Sequence, residues 1–335
     1  MSFGERLGVA NICGRDVHRL SRTNSSISAI GPLQRLRYWA ALLAMKLRGL
    51  RGKPDFAAER TSISEYRETL ARYAGKRIEN CRVLEIGFGQ RPWRLCWLVN
   101  LGVDAVGVDL DRPVLRGSPA ELMRVWREHG LERALKSVVR ALLFDRRERR
   151  ALARAVEAET GRPFVLPIER MRVSDAADDG FWRGLPPLDF VYSEDVFEHI
   201  PPEGLERVVA AMARALKPDG LAFIRPDVFT GITGGHDPEW YAYTLAEPRR
   251  RRSEPWEHLR RDRFPANTFL NRLTRADYRR LFAARFDVLE ERVAMPNLGR
   301  EFLTPEVRAA LDAYDEEELL SNNVLFLLRP KPAAT

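Results

Sequence analysis

The sequence predicts an α/β fold, a doubly wound and mostly parallel sheet of seven strands with helices on both faces. Short apolar runs typical of buried strands alternate with amphipathic patterns typical of helices. Several of the apolar runs end in glycine or an acidic residue, as strands beside a ligand site often do. With 335 residues, 45% of them hydrophobic, the chain can bury a large core and is too apolar to be disordered.

The predicted strands are short and rich in Val, Leu, Ile and Phe. In chain order they cover residues 81–86, 104–108, 171–174, 188–192, 221–225, 286–292 and 324–328. Helix-start signals separate them, at Pro92, at Pro202, at Thr274 with Asp277, and at Thr304 before Pro305. No internal repeat is present.

The N-terminal part precedes the first predicted strand and has a different residue pattern. Residues 1–30 are polar and without period, and we expect a loose arm. Residues 33–50 have helical spacing, which suits either a membrane-surface helix or, as we favour, a helix packed on the domain. Ser62 and Glu65 have capping-box spacing and predict the start of a second helix. Residues 31–75 are therefore expected to form a helical cap.

The main domain is predicted over residues 76–330, with two additions. Residues 112–168 carry two helical patterns, at 120–143 and 147–158, and are too long for a single crossover. Residues 228–272 are rich in Gly, Pro, Trp, His and Arg. A long segment with this many aromatic residues predicts an ordered lid over a site.

The charge is basic, with 55 Lys and Arg against 47 Asp and Glu, for a net charge of +8. Acidic residues are interleaved with the arginines along the whole chain, which favours a solvated surface over a nucleic-acid face. Three cysteines exclude a disulfide scaffold and a cysteine-built zinc site. Neither a secretory signal nor a transmembrane helix is present in the sequence, so we expect a cytoplasmic protein.

Polar residues and glycines follow the first strands where a ligand would bind. The first strand ends in a glycine turn, 85–89, and Asp109 closes the second strand about twenty residues later. Asp175 closes the third strand, and residues 193–195 close the fourth. Because the carboxyl ends of parallel strands share one edge of a sheet, these groups should lie together. Each acid could also simply cap the turn that follows it.

As a set, these segments resemble the ordered motifs of class I S-adenosylmethionine-dependent methyltransferases. The segments are RVLEIGFG, AVGVDLD, MRVSDAAD, LDFVYSEDVFEHI and ARALKPDGLAFIRP. The fourth is similar to the branch with a D-V-x-E-H signature after strand four. The resemblance covers residues 81–226 apart from the 112–168 insert. It implies a Rossmann-like sheet and S-adenosylmethionine as cofactor.

The resemblance also implies cofactor-binding residues. Glu85, Gly87 and Gly89 would line the methionine end, and Ser193 and Glu194 would lie beside the sulfonium. The cationic sulfur and ammonium make nearby acids sensible.

At the adenosine end the resemblance implies that Asp109 holds the ribose hydroxyls and that Leu110 packs near the adenine. Asp175 would bind the adenine amino group, with Ala176 beside it. Arg91 stands where related proteins often have glycine, and it could contact the cofactor carboxylate or point to solvent.

Asp195, Glu198 and His199 have a spacing that would place them on one face of a helical turn. Some small-RNA and quinone-precursor methyltransferases with a similar arrangement hold a divalent ion. The alternative is that these residues pack and cap the next helix, as in metal-free relatives. We favour the second interpretation and expect no metal.

The expected reaction is methyl transfer to an oxygen, or a nitrogen, of a small molecule or glycan intermediate. His236, just past strand five, is predicted as the general base, with His199 as the alternative. A competing hypothesis is an RNA methyltransferase, since arginines at 249–252, 260, 261 and 263 lie near Trp256 in the sequence. A non-catalytic, cofactor-binding interaction module is the hypothesis from another class. The oligomeric state is not indicated.

Overall fold

The computed structural model describes residues 54–115, 117–129, 145–245, 251–264 and 269–332. Its centre is a seven-stranded sheet of order β3-β2-β1-β4-β5-β7-β6, in which β7 alone runs antiparallel to its neighbours. The strands are β1 Arg82–Ile86, β2 Asp104–Asp109, β3 Met171–Val173, β4 Leu188–Glu194, β5 Leu216–Arg225, β6 Phe286–Val293 and β7 Val324–Pro330. The predicted α/β fold with seven strands is confirmed.

Helices cover both faces of the sheet. Those of the described ranges are α1 Ala57–Ala74, α2 Trp93–Asn100, α3 Pro119–His129, α4 Arg146–Thr160, α5 Asp179–Arg183, α6 Pro202–Ala215, α7 Ala242–Leu245, α8 Glu257–Arg260, α9 Arg275–Ala283, α10 Pro305–Ala310 and α11 Glu316–Leu319. The predicted caps at Thr274 and Thr304 are present: each hydroxyl accepts a hydrogen bond from the third residue after it. No helix among the described residues is long and apolar enough to span a membrane.

The core lies in two layers, because alternate strand residues point to opposite faces of the sheet. Val83 faces α1, α2 and α4, whereas its neighbour Leu84 faces α6 and α9. Phe190 and Val191 of β4 divide in the same way. All four side chains are fully buried. Strands covered on both faces give continuous apolar runs, which is why the sequence predicts their positions well.

Helix α1 begins five residues earlier than the capping-box spacing predicts, so that prediction is wrong. The helix starts at Ala57, and Ser62 lies inside it. The Ser62 hydroxyl donates to Glu194, 3.4 Å away, instead of capping a helix end, and Glu65 forms an ion pair with Arg225 at 2.9 Å. The helix ends at Gly75 as predicted, with a φ of +64°.

Two other boundaries differ from expectation. Pro92 is the residue before α2 and not its first residue. Strand β5 begins at Leu216, because residues 217–220 form a bulge while Leu216 already pairs with Leu188 of β4. The predicted N-terminal arm 1–30 and helix 33–50 lie outside the described residues, as does most of the 120–143 helical pattern beyond α3.

The described parts of the 228–272 segment are packed by their aromatic residues. Trp256 is fully buried in a small cluster with Ile232 and Val307, and its Nε1 donates to the Thr230 carbonyl at 3.1 Å. Phe229 and Phe264 form a second cluster. The segment therefore forms a layer beside the carboxyl ends of β4 and β5.

Candidate functional site

The glycine turn after β1 approaches β2 closely. Gly87 has a φ of +81°, and its N–H donates to the Val108 carbonyl at 2.8 Å. A Cβ on Gly87 would lie 2.3 Å from a methyl carbon of Val196, so only glycine fits there. Gly89 has a φ of +63°, but a Cβ there would meet no atom within 4 Å. The turn therefore has no room for a side chain at Gly87 and open space for one at Gly89.

Asp109 ends β2 beside this turn and is held by backbone groups. Its Oδ2 accepts from the N–H of Gly89 at 2.8 Å, and its Oδ1 accepts from the N–H of Asp111 at 2.9 Å. A carboxylate oxygen can accept a second hydrogen bond. The next residue, Leu110, is 57% exposed, which is unusual for leucine and leaves an apolar surface beside the acid.

The end of β3 continues the same edge. Asp175 accepts a hydrogen bond from the N–H of Ala177 at 2.7 Å. It therefore caps the turn that follows β3, which is the role that the sequence offers as an alternative to ligand binding. The carbonyl of Ala176 accepts from Nε1 of Trp182 at 2.7 Å. Because β3 pairs with β2, both residues follow Asp109 along the carboxyl edge.

The acids predicted for the methionine end are ion-paired. The carboxylate of Glu194 contacts Tyr66, Arg225 and Arg94, the last at 3.0 Å. Burial raises the pKa of Glu194, but the two arginines outweigh it and the net pKa is lowered. Glu85 lies 3.5 Å from Arg94, and burial raises its pKa to about 7. Arginines therefore neutralise much of the negative charge expected here.

Two further predicted positions have structural partners. The buried Ser193 hydroxyl donates to the Ile86 carbonyl at 2.9 Å, which ties the ends of β4 and β1 together. Arg91 pairs with Glu148 of α4 at 3.0 Å. Arg91 thus joins the turn to the helical insert, which neither interpretation of this residue anticipated.

A cavity of about 780 Å³ opens beside this edge. Its walls come from α1, the start of α2, the ends of β4 and β5, the loop after β5 and the segment before β7. Glu194, His199 and His236 of the predicted site residues line it, whereas the glycine turn, Asp109 and Asp175 lie outside it, along the edge. The predicted site therefore consists of an edge and an adjoining cavity.

Two histidines line the cavity, and the buried Glu198 lies directly behind them. Nε2 of His199 lies 3.8 Å from Oε1 of Glu198, and Nε2 of His236 lies 4.0 Å from the same oxygen. Burial lowers the pKa of each histidine to about 4, so both are neutral at neutral pH. Asn271 fixes the turn that holds Glu198: its N–H donates to the Glu198 carbonyl at 2.8 Å.

Two more carboxylates meet Glu198 from the ends of β4 and β5. Oxygens of Asp195, Glu198 and Asp227 all lie within 4.8 Å of one another. The Asn323 amide donates to Asp195 at 3.2 Å and to Asp227 at 3.0 Å, which holds the two side by side. Burial and mutual repulsion raise the pKa of Asp195 to about 7, burial raises that of Asp227 to about 6, and that of Glu198 is also raised.

Sequence reasoning missed Asp227 and Asn323. Asp227 follows β5 by two residues, so the rule that found Asp109 and Asp175 also applies to it. Asn323 precedes β7, and because β7 is antiparallel, its amino end lies at this edge. Only the direction of β7 could have pointed to Asn323.

The sequence profile described as a methyltransferase domain matches residues 57–290, well over half of the chain. No curated protein shows significant sequence similarity to it.

Several solved structures are similar to the chain at low identity. They include a TehB-like SAM-dependent methyltransferase from Corynebacterium glutamicum (14% identity, 90% of this chain and 100% of that chain, TM-score 0.39). An S-adenosylmethionine dependent methyltransferase from Mesorhizobium loti has 15% identity over 84% of this chain and 99% of its own, with a TM-score of 0.40. The 1,6-didemethyltoxoflavin-N1-methyltransferase of Burkholderia thailandensis has 14% identity, 90% and 92% coverage, and a TM-score of 0.39.

The profile match over residues 57–290, together with the sheet order, identifies the family. The chain belongs to the methyltransferase domain family and is a methyltransferase.

Proposed function

We propose that the chain methylates an oxygen of a small molecule or glycan intermediate that binds in the 780 Å³ cavity. The observation that carries this proposal is the junction of two features. A cavity of the size that takes small ligands adjoins the edge formed by Gly89 and Asp109, and its wall bears a proton acceptor, Nε2 of His236, that has no hydrogen-bond partner among the described residues.

The residues at the edge fit S-adenosylmethionine. Bound there, the cofactor would supply an electrophilic methyl group on a cationic sulfur. Asp109 has its carboxylate oriented by two backbone N–H groups and would hold the ribose hydroxyls. Gly89 leaves open space that a side chain would fill, and exposed Leu110 offers an apolar surface for the adenine. Asp175, with Ala176 beside it, would take the adenine amino group.

At the methionine end we propose Glu85, Gly87 and the β4 residues Ser193 and Glu194. Ser193 acts by holding the ends of β1 and β4 together through the Ile86 carbonyl. Glu194 acts chiefly by positioning Arg94 and Arg225 at the cavity wall.

A hydroxyl acceptor must lose a proton when it is methylated. The sequence assigns that proton to His236, with His199 as the alternative. Among the described residues, Nε2 of His236 and both carboxylate oxygens of Glu198 are buried without a hydrogen-bond partner. We therefore place the acceptor oxygen beside these groups and expect both histidines to be required for turnover.

The RNA hypothesis is less well supported by the same region. Trp256, the aromatic residue at its centre, is fully buried and cannot stack on a base. Arg260 and Arg261 form ion pairs with Glu254 at 3.0 and 2.7 Å, and these pairs compete with any phosphate contact. Arginines 249 and 250 lie outside the described residues.

The acceptor class can be tested by incubating the protein with methyl-labelled S-adenosylmethionine and two fractions from the source cells: low-mass metabolites and total RNA. We expect label in the metabolite fraction, and at least tenfold slower labelling with the Asp109→Ala variant at a cofactor concentration below the wild-type Kd. Label only in RNA would overturn the proposed acceptor. Cofactor binding with no label in either fraction would favour the non-catalytic module.

A further inference from the structure

Glu198 is a buried acid that nothing among the described residues satisfies. It is 3% exposed, and neither of its carboxylate oxygens has a hydrogen-bond partner in that part of the chain. An unpaired buried carboxylate is costly, so proteins normally pair it with a cation or hydrogen-bond donors. Glu198 therefore needs a partner that the described residues do not supply.

The orientation of His199 prevents its neutral ring from donating a proton to Glu198. Nδ1 of His199 lies 3.0 Å from the Phe269 carbonyl, which can only accept, so Nδ1 carries the proton. In the neutral ring, Nε2 then carries no proton and presents a lone pair, and it lies 3.8 Å from Oε1 of Glu198. A proton on the carboxyl group or a cation could join these two electron-rich atoms, and 3.8 Å is too long for the hydrogen bond that a proton would make. A backbone carbonyl that orients imidazole in this way is the usual support of a metal ligand.

The charge around Glu198 is unbalanced. Asp195, Glu198 and Asp227 approach within 4.8 Å, and no Lys or Arg of the described residues forms an ion pair with any of them. The nearest arginine partners, Arg94 and Arg225, are engaged by Glu194. Three carboxylates this close repel one another strongly in a low-dielectric site.

We infer that Glu198, His199 and His236 bind a divalent metal ion at the wall of the cavity, with Asp227 or Asp195 as a further oxygen ligand. Ligands about 2.1 Å from one ion lie about 3.4 Å apart in a tetrahedron and at most about 4.2 Å apart. Three contacts here are 3.8 Å, 4.0 Å and, between Nε2 of His236 and Oδ2 of Asp227, 3.9 Å. The ligand atoms of Glu198, His199 and His236 all lie within 4.8 Å of one another, so shifts of about an ångström or less would bring them around one ion.

The donor set selects the kind of ion. Imidazole nitrogens with carboxylate oxygens suit Mn²⁺, Fe²⁺, Co²⁺ or Zn²⁺, whereas Mg²⁺ and Ca²⁺ prefer oxygen alone. Spacing in the sequence groups only Asp195, Glu198 and His199, and from that spacing alone we expect no metal. His236 and Asp227, which the fold brings to the same point, carry the opposite inference.

The ion would stand on the acceptor side of the cavity, where a substrate hydroxyl could bind it and lose its proton more readily. This consequence rests on the proposed function, whereas binding of the ion does not. His236 would then be a ligand and not a general base, and chelation would abolish turnover.

Metal binding can be measured directly, on full-length protein stripped with EDTA and titrated with Co²⁺, Mn²⁺ or Zn²⁺ by calorimetry. We expect one ion per chain and, for Co²⁺, a visible absorption band from nitrogen and oxygen ligands. Glu198→Gln and His236→Ala should each weaken binding at least tenfold. Glu203→Gln, which changes an exposed glutamate five residues further along, should bind like the wild type.

Thermal stability separates a ligand from a structural residue. In the metal-free protein, Glu198→Gln replaces a buried acid that lacks a partner among the described residues with a neutral amide, so its melting temperature should equal or exceed that of the wild type. Added ion should raise the melting temperature of the wild type and not that of the variant. Absence of stoichiometric binding by the wild type, or unchanged binding in both variants, would overturn the inference. Calorimetry with S-adenosylmethionine on the same metal-free protein tests the cofactor site separately.

Discussion

The backbone N–H of Gly89 donates a 2.8 Å hydrogen bond to Oδ2 of Asp109. This bond joins the turn after β1 to the end of β2, the two places where the sequence predicts the cofactor. Because a second N–H, from Asp111, holds the other oxygen at 2.9 Å, the carboxylate is oriented before any ligand arrives. Preorganisation of this kind lowers the cost of binding.

Gly89→Ala should weaken S-adenosylmethionine binding at least tenfold while the protein stays folded. A Cβ at Gly89 meets no atom within 4 Å, so the only cost to folding is the positive φ, about 1–2 kcal/mol. The new methyl group would project into the space proposed for the cofactor. Calorimetry and urea denaturation measure the two effects.

Gly75→Ala is the matched control, because Gly75 has nearly the same φ and equally open surroundings. It should lose similar stability and keep wild-type affinity. Equal affinities for Gly89→Ala and the wild type would remove this turn from the site.

Gly87→Ala should behave differently and destabilise the whole domain. Its Cβ would lie 2.3 Å from Val196, so overpacking adds to backbone strain, for a total of about 2–4 kcal/mol. A urea unfolding midpoint close to that of Gly89→Ala would contradict the close approach of these two segments.

Glu194→Gln should lower the free energy of unfolding more than it lowers the affinity for S-adenosylmethionine. The change leaves Arg94 and Arg225 facing a neutral partner in a buried site, and breaking such a pair costs about 3–5 kcal/mol. Glu65→Gln removes a more exposed partner of Arg225 and should cost about 1 kcal/mol or less. Unfolding free energies compare the two. Normal stability with a tenfold loss of S-adenosylmethionine affinity in Glu194→Gln would instead make Glu194 a direct cofactor contact.

Asp189 makes stability depend on pH at the opposite edge of the sheet. Burial raises its pKa, but the N–H of Arg82, Lys217 and Lys76 outweigh this, and the pKa falls to about 2 from 3.8. A lowered pKa contributes stability that is complete above the ordinary value and is lost as the pH falls towards about 2. Asp189→Asn should therefore be less stable than the wild type at neutral pH, and the gap should narrow between these two pH values. A gap that is constant with pH would contradict the ion pairs with Lys76 and Lys217.

The strands and the cofactor edge could be predicted because both depend on local signals. Strands buried on both faces give unbroken apolar runs, and parallel strands place their carboxyl ends on one edge whatever the loops do. The start of α1 could not be predicted in this way. Ser62 and Glu65 have the spacing of a cap, yet their side chains bind Glu194 and Arg225, far away in the chain.

The cluster around Glu198 depends on tertiary structure that no local pattern encodes. The sequence offers Glu198 and His199 as neighbours, but His236 reaches them only because the loop after β5 folds back, with a left-handed φ of +52° at His236 itself. Asp227 could have been found from the strand-end rule. Asn323 required the direction of β7, which apolar runs do not reveal.

Calorimetric titration of S-adenosylmethionine into the wild type, Asp109→Ala and Asp104→Ala tests the central claim most directly. Asp104 begins the strand that Asp109 ends, so it is an acid on the same strand at the opposite edge of the sheet. We predict that the wild type binds and that Asp104→Ala matches it. Asp109→Ala should bind about ten- to a hundredfold more weakly, since the lost charge-assisted bonds are worth about 1.5–3 kcal/mol. Wild-type affinity in Asp109→Ala, or no binding by the wild type, would contradict the account.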